Sequence, residues 1–413
     1  MAAADSFSWA ADARLYAGAH RIRVVAADGT EFRQIPARPT SAALDGLGAA
    51  LLARAPFCLG DSALPANVTC APGQILTLTG GSAGQPKAVR RTQASWIASF
   101  TANAARFTYG PADSIAVLGQ LGHSLALYGV LEALHLGLDA HVLSDLGPGA
   151  QAARMAAAEV STLYTTPTQL RLLARGATGQ PLSALRLILC GGGALDADTR
   201  RAAATLAPKA AIHEFYGAAE TSFITLSDAT TPAGAVGRAY PGVTLRILTD
   251  DGKPTRGIGT VWVRSPYLFD GYALGHSTET RWRDGFVTVG EMGQLDEDGN
   301  LWLKGRRSRM ITIADQNVFP ETVEALITAH LRCACAVLPR PDPMRGQHLV
   351  AIVDAAPDRA IADQIATQIT DACRARFGPL ATPKQVFFHP SLPLLPSGKI
   401  DLTALVRWLK DRP

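Results

Sequence analysis

The chain has 413 residues, of which 47% are hydrophobic and 18% charged, with a formal net charge of +4. This composition is typical of a globular protein with a sizeable core and excludes a disordered chain. The small net charge and the absence of a basic block argue against nucleic acid or a membrane surface as a partner. No signal peptide and no apolar run of membrane-spanning length is recognisable, so a cytoplasmic location is expected.

Short apolar strands alternate with helical patterns in the first half of the chain. Residues 76–79 predict a buried strand that leads into a glycine-rich segment, residues 79–87. Apolar residues at helical spacing follow as far as Phe107, with Thr92 as the candidate N-cap. Further strands are expected at 114–120, 141–143, 162–164 and 185–190, and helices at 150–158 and 167–175. This alternation predicts a layered α/β sheet.

The pattern changes after about residue 233. Strand-like segments at 243–248, 259–263 and 300–304 are separated by Asp-Gly turn signals, which predicts a β-rich subdomain. From residue 307 a compact α+β unit is expected, with helices at 320–330 and 360–377 and strands at 335–338, 349–353 and 385–389. We therefore expect an α/β protein with two domains, residues 1–306 and 307–413.

Three segments carry residues suited to a nucleotide. The glycine-rich segment offers backbone N–H groups, hydroxyls and a lysine to an oligophosphate, although it lacks the Walker spacing. Residues 214–221 place a tyrosine, a glycine and a carboxylate in what reads as one short loop, where the ring could pack on a purine and the carboxylate could hold Mg²⁺. Residues 284–291 and 305–306 add an acid and an arginine for a ribose. Taken alone, each segment is better explained by ordinary turns and surface charges.

Taken together, the ordered segments resemble the adenylate-forming superfamily of acyl-CoA synthetases, aryl-acid ligases and peptide-synthetase adenylation domains. The matching stretches are residues 79–89, 190–195, 216–220, 290–291, 305–306, 317–320 and 397–399. The resemblance covers roughly residues 75–405, and seven motifs in one order are highly specific. It implies a large N-terminal AMP-binding domain of layered α/β sheets with a β-rich subdomain, and a small mobile C-terminal α+β domain that carries a catalytic lysine.

The resemblance also implies ATP and Mg²⁺ as cofactors and a role for each matching residue. Lys399 would bridge the acyl carboxylate and the α-phosphate, Glu220 would bind Mg²⁺, and His123 would lie at the acyl site. Arg309 occupies the position of the hinge. The remaining nucleotide contacts would come from the phosphate loop, the adenine side and the ribose side, namely Ser82, Gly84, Lys87, Gly192, Gly193, Glu214, Phe215, Tyr216, Gly217, Glu291 and Arg306.

The chemistry accounts for these residue types. Attack of a carboxylate on the α-phosphorus brings two anions together, so Mg²⁺ and a fixed ammonium group lower the barrier electrostatically. The same lysine would obstruct attack by a thiol on the acyl-adenylate, and a C-terminal domain that swings about Arg309 would remove it.

The chain departs from the family pattern at three positions of the expected site. Ala83 and Ala219 replace hydroxyl residues, which removes two phosphate contacts, and Glu291 replaces an aspartate.

The resemblance implies an acyl site near residues 122–129. No aspartate there could pair with an ammonium group, which argues against an amino-acid substrate. His123, Tyr128, Tyr164 and Phe215 favour an aromatic or short acid.

We therefore expect an acid:thiol ligase acting on a small carboxylic acid, with an aryl acid such as a hydroxybenzoate favoured. Coenzyme A or the phosphopantetheine of an acyl carrier protein would be the acceptor, and the chain would be a monomer or homodimer. One alternative is a short- or medium-chain fatty acyl-CoA synthetase. Another is a catalytically degenerate nucleotide-binding protein, which the alanines at 83 and 219 favour and the retention of Lys399 and Glu220 opposes.

Overall fold

The structure is a computed structural model that describes residues 5–24, 29–80, 86–177, 181–314, 316–394 and 400–412. The chain folds into two compact units. The first unit comprises Met1–Arg246, Trp262–Val289 and Asp296–Leu301. The second comprises Ile247–Val261, Gly290–Leu295 and Trp302–Pro413.

The elements up to residue 239 all belong to the first unit. They are β1 (Leu15–Ala17), β2 (His20–Arg21), β3 (Arg33–Ile35), α1 (Thr40–Leu52), β4 (Phe57–Leu59), β5 (Gln74–Gly80), β6 (Pro86–Thr92), α2 (Gln93–Phe107), β7 (Ser114–Val117), α3 (Ser124–Leu136), β8 (Asp139–Val142), α4 (Pro148–Ala157), β9 (Thr162–Thr165), α5 (Pro167–Gly176), β10 (Leu187–Gly191), α6 (Ala197–Leu206), β11 (Ala211–Ala218), β12 (Ser222–Leu226) and β13 (Arg238–Ala239).

The later elements include the β-rich region and the C-terminal part. They are β14 (Thr244–Leu248), β15 (Gly259–Arg264), β16 (Gly271–Leu274), β17 (Arg281–Arg283), β18 (Phe286–Thr288), β19 (Glu291–Leu295), β20 (Leu301–Arg306), a 3-10 turn (Arg307–Arg309), β21 (Ile311–Ile313), β22 (Gln316–Val318), α7 (Pro320–Leu331), β23 (Cys335–Asp342), β24 (Gly346–Asp354), α8 (Arg359–Phe377), β25 (Gln385–His389) and α9 (Leu402–Lys410).

A nine-stranded sheet forms the centre of the first unit, in the order β13-β12-β11-β10-β9-β7-β8-β1-β2. Its strands from β11 to β1 pair in parallel. Side chains of β10 alternate between two apolar clusters, because Leu187 and Leu189 join one and Ile188 and Cys190 the other. Residues of α1, α2 and α3 complete the first cluster and residues of α4, α5 and α6 the second, so helices cover both faces.

A second sheet of the first unit contains the strands on both sides of the glycine-rich segment, β5 and β6. Its strand order is β16-β6-β5-β4-β3. Strands β5 and β6 form an antiparallel pair in which Thr79 faces Lys87 across the ladder. The predicted strand before the glycine-rich segment is thus confirmed, and it pairs with β6 from Gln74 to Gly80. Helix α2 begins as predicted, since the Thr92 hydroxyl accepts a hydrogen bond from Ser95 N at 3.2 Å.

The C-terminal part of the second unit is built on three strands, β23-β24-β25. Strands β23 and β24 are antiparallel, and β25 runs parallel to β24. Helices α7 and α8 contribute to one apolar cluster with these strands, and α9 contributes to another. Together with the layered first unit and the β-rich segments between residues 244 and 306, this confirms the expected fold class. None of the helices in the described residues is long and apolar enough to cross a membrane.

One local expectation is wrong. Residues 214–217 were expected in a short loop, yet they lie on β11. Glu214 and Phe215 pair with Cys190 and Gly191 of β10 on one side, and Phe215 pairs with Leu226 of β12 on the other. Pairing on both sides supplies the backbone hydrogen bonds that a loop would have lacked.

Candidate active site

The carboxyl ends of β10 and β11 form one edge of the candidate site. The strands are parallel neighbours, so Gly192 and Gly193, which follow β10, lie beside the end of β11. Ligands of open α/β sheets bind at this type of edge. A Cβ atom on Gly191 would lie 2.2 Å from the Phe215 ring, so the missing side chain allows the ring to lie against the backbone. Gly192 has a φ of +85°, which glycine adopts without strain.

Glu214, expected near the adenine, binds the protein itself. One of its carboxylate oxygens accepts a hydrogen bond from Leu195 N at 3.1 Å, and the other lies 3.7 Å from Arg200 Nη2. Burial raises the pKa of this carboxyl, although both of these groups act in the opposite direction. The Glu214 side chain thereby links residues 192–195, which follow β10, to strand β11.

A tight turn between β11 and β12 carries Glu220. Thr221 N donates to Ala218 O, and Ala218 N donates to the Thr221 hydroxyl, both at 3.1 Å. A Cβ atom on Gly217 would lie 2.1 Å from Ser222 O, so the close approach of the two strands requires glycine. The turn therefore holds Glu220 at its tip by local contacts.

Tyr272 connects Glu220 with Lys87. Its hydroxyl donates to Glu220 Oε1 at 2.7 Å and contacts the Thr280 hydroxyl at 2.8 Å. Lys87 Nζ lies 5.3 Å from the centroid of the Tyr272 ring, a distance suited to a cation–π contact. Burial, followed by the Glu220 charge, raises the pKa of Tyr272. The structure thus brings together two residues predicted to serve phosphate and Mg²⁺, and adds a tyrosine that the sequence did not indicate.

The carboxylate of Glu220 fits Mg²⁺. This cation is usually held by one or two carboxylates together with substrate phosphates, rather than by a protein cage. Within the described ranges no group of three or more His, Cys, Asp or Glu residues could hold a metal ion. A single carboxylate such as that of Glu220 suits this kind of site, and Lys87 lies over the ring of the tyrosine whose hydroxyl donates to this carboxylate.

Three expected site residues, Ser82, Gly84 and Lys399, lie outside the described residues. The residues on both sides of the Lys399 segment are described. Leu394 and Ile400 form a backbone bridge, and Asp401 N donates to Pro393 O at 2.8 Å.

Tyr128 and Tyr164, expected to line the acyl pocket, are buried with a polar group that the sequence did not indicate. Tyr164 donates to Glu132 Oε2 at 2.6 Å, and Asn103 Nδ2 donates to Glu132 Oε1 at 2.7 Å and to the Tyr128 hydroxyl at 3.2 Å. Burial raises the Glu132 pKa to about 8. Glu132 is the one acid in the mostly apolar sequence of α3, but a single acid in a helix does not by itself indicate burial. His123, the N-cap residue of that helix, is exposed.

The ribose-side candidates lie in the second unit. Glu291 opens β19 and Arg306 ends β20, and Arg306 Nε donates to Glu291 Oε1 at 3.1 Å. Arg309 of the expected hinge makes two hydrogen bonds to Glu324, of 3.0 and 2.6 Å. A bidentate pair of this kind fixes the side chain in a defined geometry.

The chain matches two family models and several known proteins. The family model described as AMP-binding enzyme matches residues 23–273, and that described as AMP-binding enzyme C-terminal domain matches residues 322–399. An uncharacterised acyl-CoA ligase of Bacillus subtilis is 32% identical over 339 residues, which cover 81% of this chain and 68% of the relative. A salicyl-AMP ligase / salicyl-S-ArCP synthetase of Mycobacterium tuberculosis is 30% identical over 372 residues, covering 85% of this chain and 63% of the relative.

Among solved structures, the o-succinylbenzoate CoA synthetase of Bacillus subtilis in complex with its acyl-adenylate has the same fold. The TM-score is 0.78, and the match covers 93% of this chain and 89% of that chain. At 19% identity, this likeness concerns the fold alone.

Proposed function

Because the chain belongs to the AMP-binding enzyme family of AMP-forming acid:thiol ligases, we propose that it activates a small carboxylic acid with ATP. The products would be an acyl-adenylate and pyrophosphate, and a thiol would then accept the acyl group. The observation that supports this proposal most strongly is the contact of Tyr272 with both Glu220 and Lys87. It places a carboxylate at the hydroxyl of Tyr272 and an ammonium group over the ring of the same residue, which suits a metal-bound triphosphate.

Each residue has a role in the proposed first step. Lys87, with Ser82 and Gly84, would bind the phosphates, and Glu220 would hold Mg²⁺. When bound, Mg²⁺ supplies positive charge that offsets the repulsion between the acid and the α-phosphate. Lys399 would place its ammonium group between those two anions.

The adenine and the ribose would be bound by two separate sets of residues. Gly192, Gly193, Phe215, Tyr216 and Gly217 would line the adenine side. Glu214 would hold residues 192–195 in place through its hydrogen bond with Leu195. Glu291 and Arg306 would bind the ribose, and their mutual ion pair orients both side chains. Residues 307–413 would form the mobile domain, which would move about Arg309 and withdraw Lys399 before the thiol attacks.

An aryl acid such as a hydroxybenzoate is the proposed substrate class. The resemblance to a salicyl-AMP ligase, at 30% identity, supports it. Of the aromatic residues expected around the acyl site, Phe215 is half-buried and would be able to contact an aryl ring. Tyr128 and Tyr164, in contrast, are buried in the hydrogen-bonded group around Glu132. The acceptor would be coenzyme A or the phosphopantetheine of an acyl carrier protein.

Pyrophosphate release with a panel of acids tests the proposal. The panel would include benzoate, salicylate, acetate, hexanoate and an amino acid. Each would be supplied with ATP and Mg²⁺ and with either coenzyme A or a carrier protein that bears a free phosphopantetheine thiol. We expect release that depends on an aryl acid and that is lost in Glu220→Ala. The matched control is Glu297→Ala, at an exposed position of the turn between β19 and β20. Binding of ATP without release for any acid would contradict a ligase and support a nucleotide-binding protein.

A further inference from the structure

Arg91 is a fully buried arginine on β6 whose hydrogen bonds converge on the turn that carries Glu220. Its relative exposure is 0%. Nη1 donates to the Ser222 hydroxyl at 2.9 Å and to Tyr267 O at 3.2 Å, and Nη2 donates to Ala219 O. Burying a guanidinium group costs several kcal/mol. These acceptors satisfy both of its terminal nitrogens, whereas Nε has no hydrogen-bond partner among the described residues.

The acceptors of Arg91 lie on both sides of Glu220. Ala219 precedes the carboxylate in the chain and Ser222 follows it by two positions. Ser222 has a φ of +56°, which is unfavourable for a serine without compensating contacts. Its hydroxyl also accepts from Trp96 Nε1 at 3.1 Å, and the centroid of the Trp96 ring lies 5.0 Å from the guanidinium carbon of Arg91. One planar side chain thus holds both ends of the turn.

Charge adds to this geometry. Burial lowers the pKa of Arg91 to about 10, and the negative charge of Glu220 acts against that decrease. The group therefore stays charged at neutral pH and attracts the Glu220 carboxylate from within the protein.

We propose that Arg91 is a positioning residue for magnesium–ATP, because it fixes the backbone of the turn from which Glu220 reaches the metal. This inference rests on the proposed function of Glu220. Arg91 would contact neither the metal nor the nucleotide, and its effect would pass through Ala219 and Ser222. Groups that orient a metal ligand in this way typically contribute 10- to 100-fold to metal affinity.

The test measures ATP binding by calorimetry with Mg²⁺ and with EDTA, for the wild type, Arg91→Lys and Ser222→Ala. Lysine keeps the charge but lacks the planar fork that reaches several acceptors. The matched control is Arg90→Lys, the neighbour that points to the opposite face of β6. Thermal unfolding of each variant shows whether it folds.

We expect Mg²⁺ to strengthen ATP binding by the wild type and by Arg90→Lys. In Arg91→Lys the ratio of the ATP affinity with Mg²⁺ to the ATP affinity in EDTA, the magnesium gain, should fall about tenfold or more. ATP binding in EDTA should stay within about twofold of wild type. Ser222→Ala should lose part of the increase in ATP affinity that Mg²⁺ causes. If Arg91→Lys does not fold, the result for Ser222→Ala alone tests the inference. A variant that is less stable but keeps the full magnesium gain would overturn the inference, as would a wild type without such a gain. Acid-dependent pyrophosphate release by the wild type tests the proposed function separately, so the two failures are distinguishable.

Discussion

Replacing Glu132 by glutamine is expected to remove a large part of the pH dependence of stability. Glu132 is fully buried, and its two oxygens accept hydrogen bonds from Asn103 and Tyr164. Burial raises its pKa from 4.5 to about 8, although both hydrogen bonds act in the opposite direction. The folded protein therefore holds this proton at neutral pH. A glutamine side chain has the same shape and no proton to lose.

The sign and size of the effect follow from linkage. Below pH 4.5 the proton is bound in both the folded and the unfolded state, so Glu132 contributes no pH dependence. Between pH 4.5 and about 8 only the folded state binds it. The free energy of unfolding then decreases by about 1.4 kcal/mol for each pH unit. From pH 5 to pH 7 the free energy of unfolding of the wild type should therefore decrease by about 3 kcal/mol more than that of Glu132→Gln.

Urea unfolding of both proteins at pH 5, 6 and 7 measures this difference. The other ionisable groups are common to both chains, so subtracting one stability curve from the other isolates Glu132. Glu159→Gln, at an exposed position after α4, is the control and should follow the wild type. A difference between wild type and Glu132→Gln that stays constant over this range would refute a protonated buried acid.

Two further substitutions test the turn that carries Glu220. Tyr272→Phe keeps the ring beneath Lys87 and removes only the hydroxyl that donates to Glu220, so the half-saturating Mg²⁺ concentration for pyrophosphate release should rise several-fold with little change in stability. An unchanged magnesium titration would contradict this role. Gly217→Ala would place a Cβ atom 2.1 Å from Ser222 O and should lower the free energy of unfolding by about 2–3 kcal/mol, measured by urea unfolding. Gly147→Ala, where a Cβ atom meets no atom within 4 Å, is its control, and an equal loss in both would count against the steric argument.

The sequence alone predicted those helices and strands whose formation depends on residues close to them in the chain. Thr92 caps the helix that the apolar spacing predicted, and the strand before the glycine segment is formed by its own apolar residues. The seven short motifs were sufficient for the family, because their order along the chain is itself specific. The boundary at residue 307 and the movement of the C-terminal domain remain predictions.

Long-range pairing was not available from the sequence. The segment at Glu214 was expected to be a loop because its glycine and polar residues are typical of turns, whereas its strand structure depends on partners in β10 and β12. Arg91, Glu132 and Tyr272 belong to no motif. Their environments depend on residues distant in the chain, so a charged or polar side chain in the sequence gave no sign of its burial.

The central claim, that an acid is activated by ATP through Lys399, is tested most directly by measuring the two half-reactions of Lys399→Ala separately. Acid-dependent exchange of pyrophosphate into ATP should fall by about 100-fold or more, since the ammonium group between the two anions is removed. Thioester formation from a supplied acyl-adenylate should remain within about threefold of wild type, and Lys410→Ala, at an exposed position of α9, should leave both unchanged. Equal loss of both half-reactions in Lys399→Ala would contradict the account.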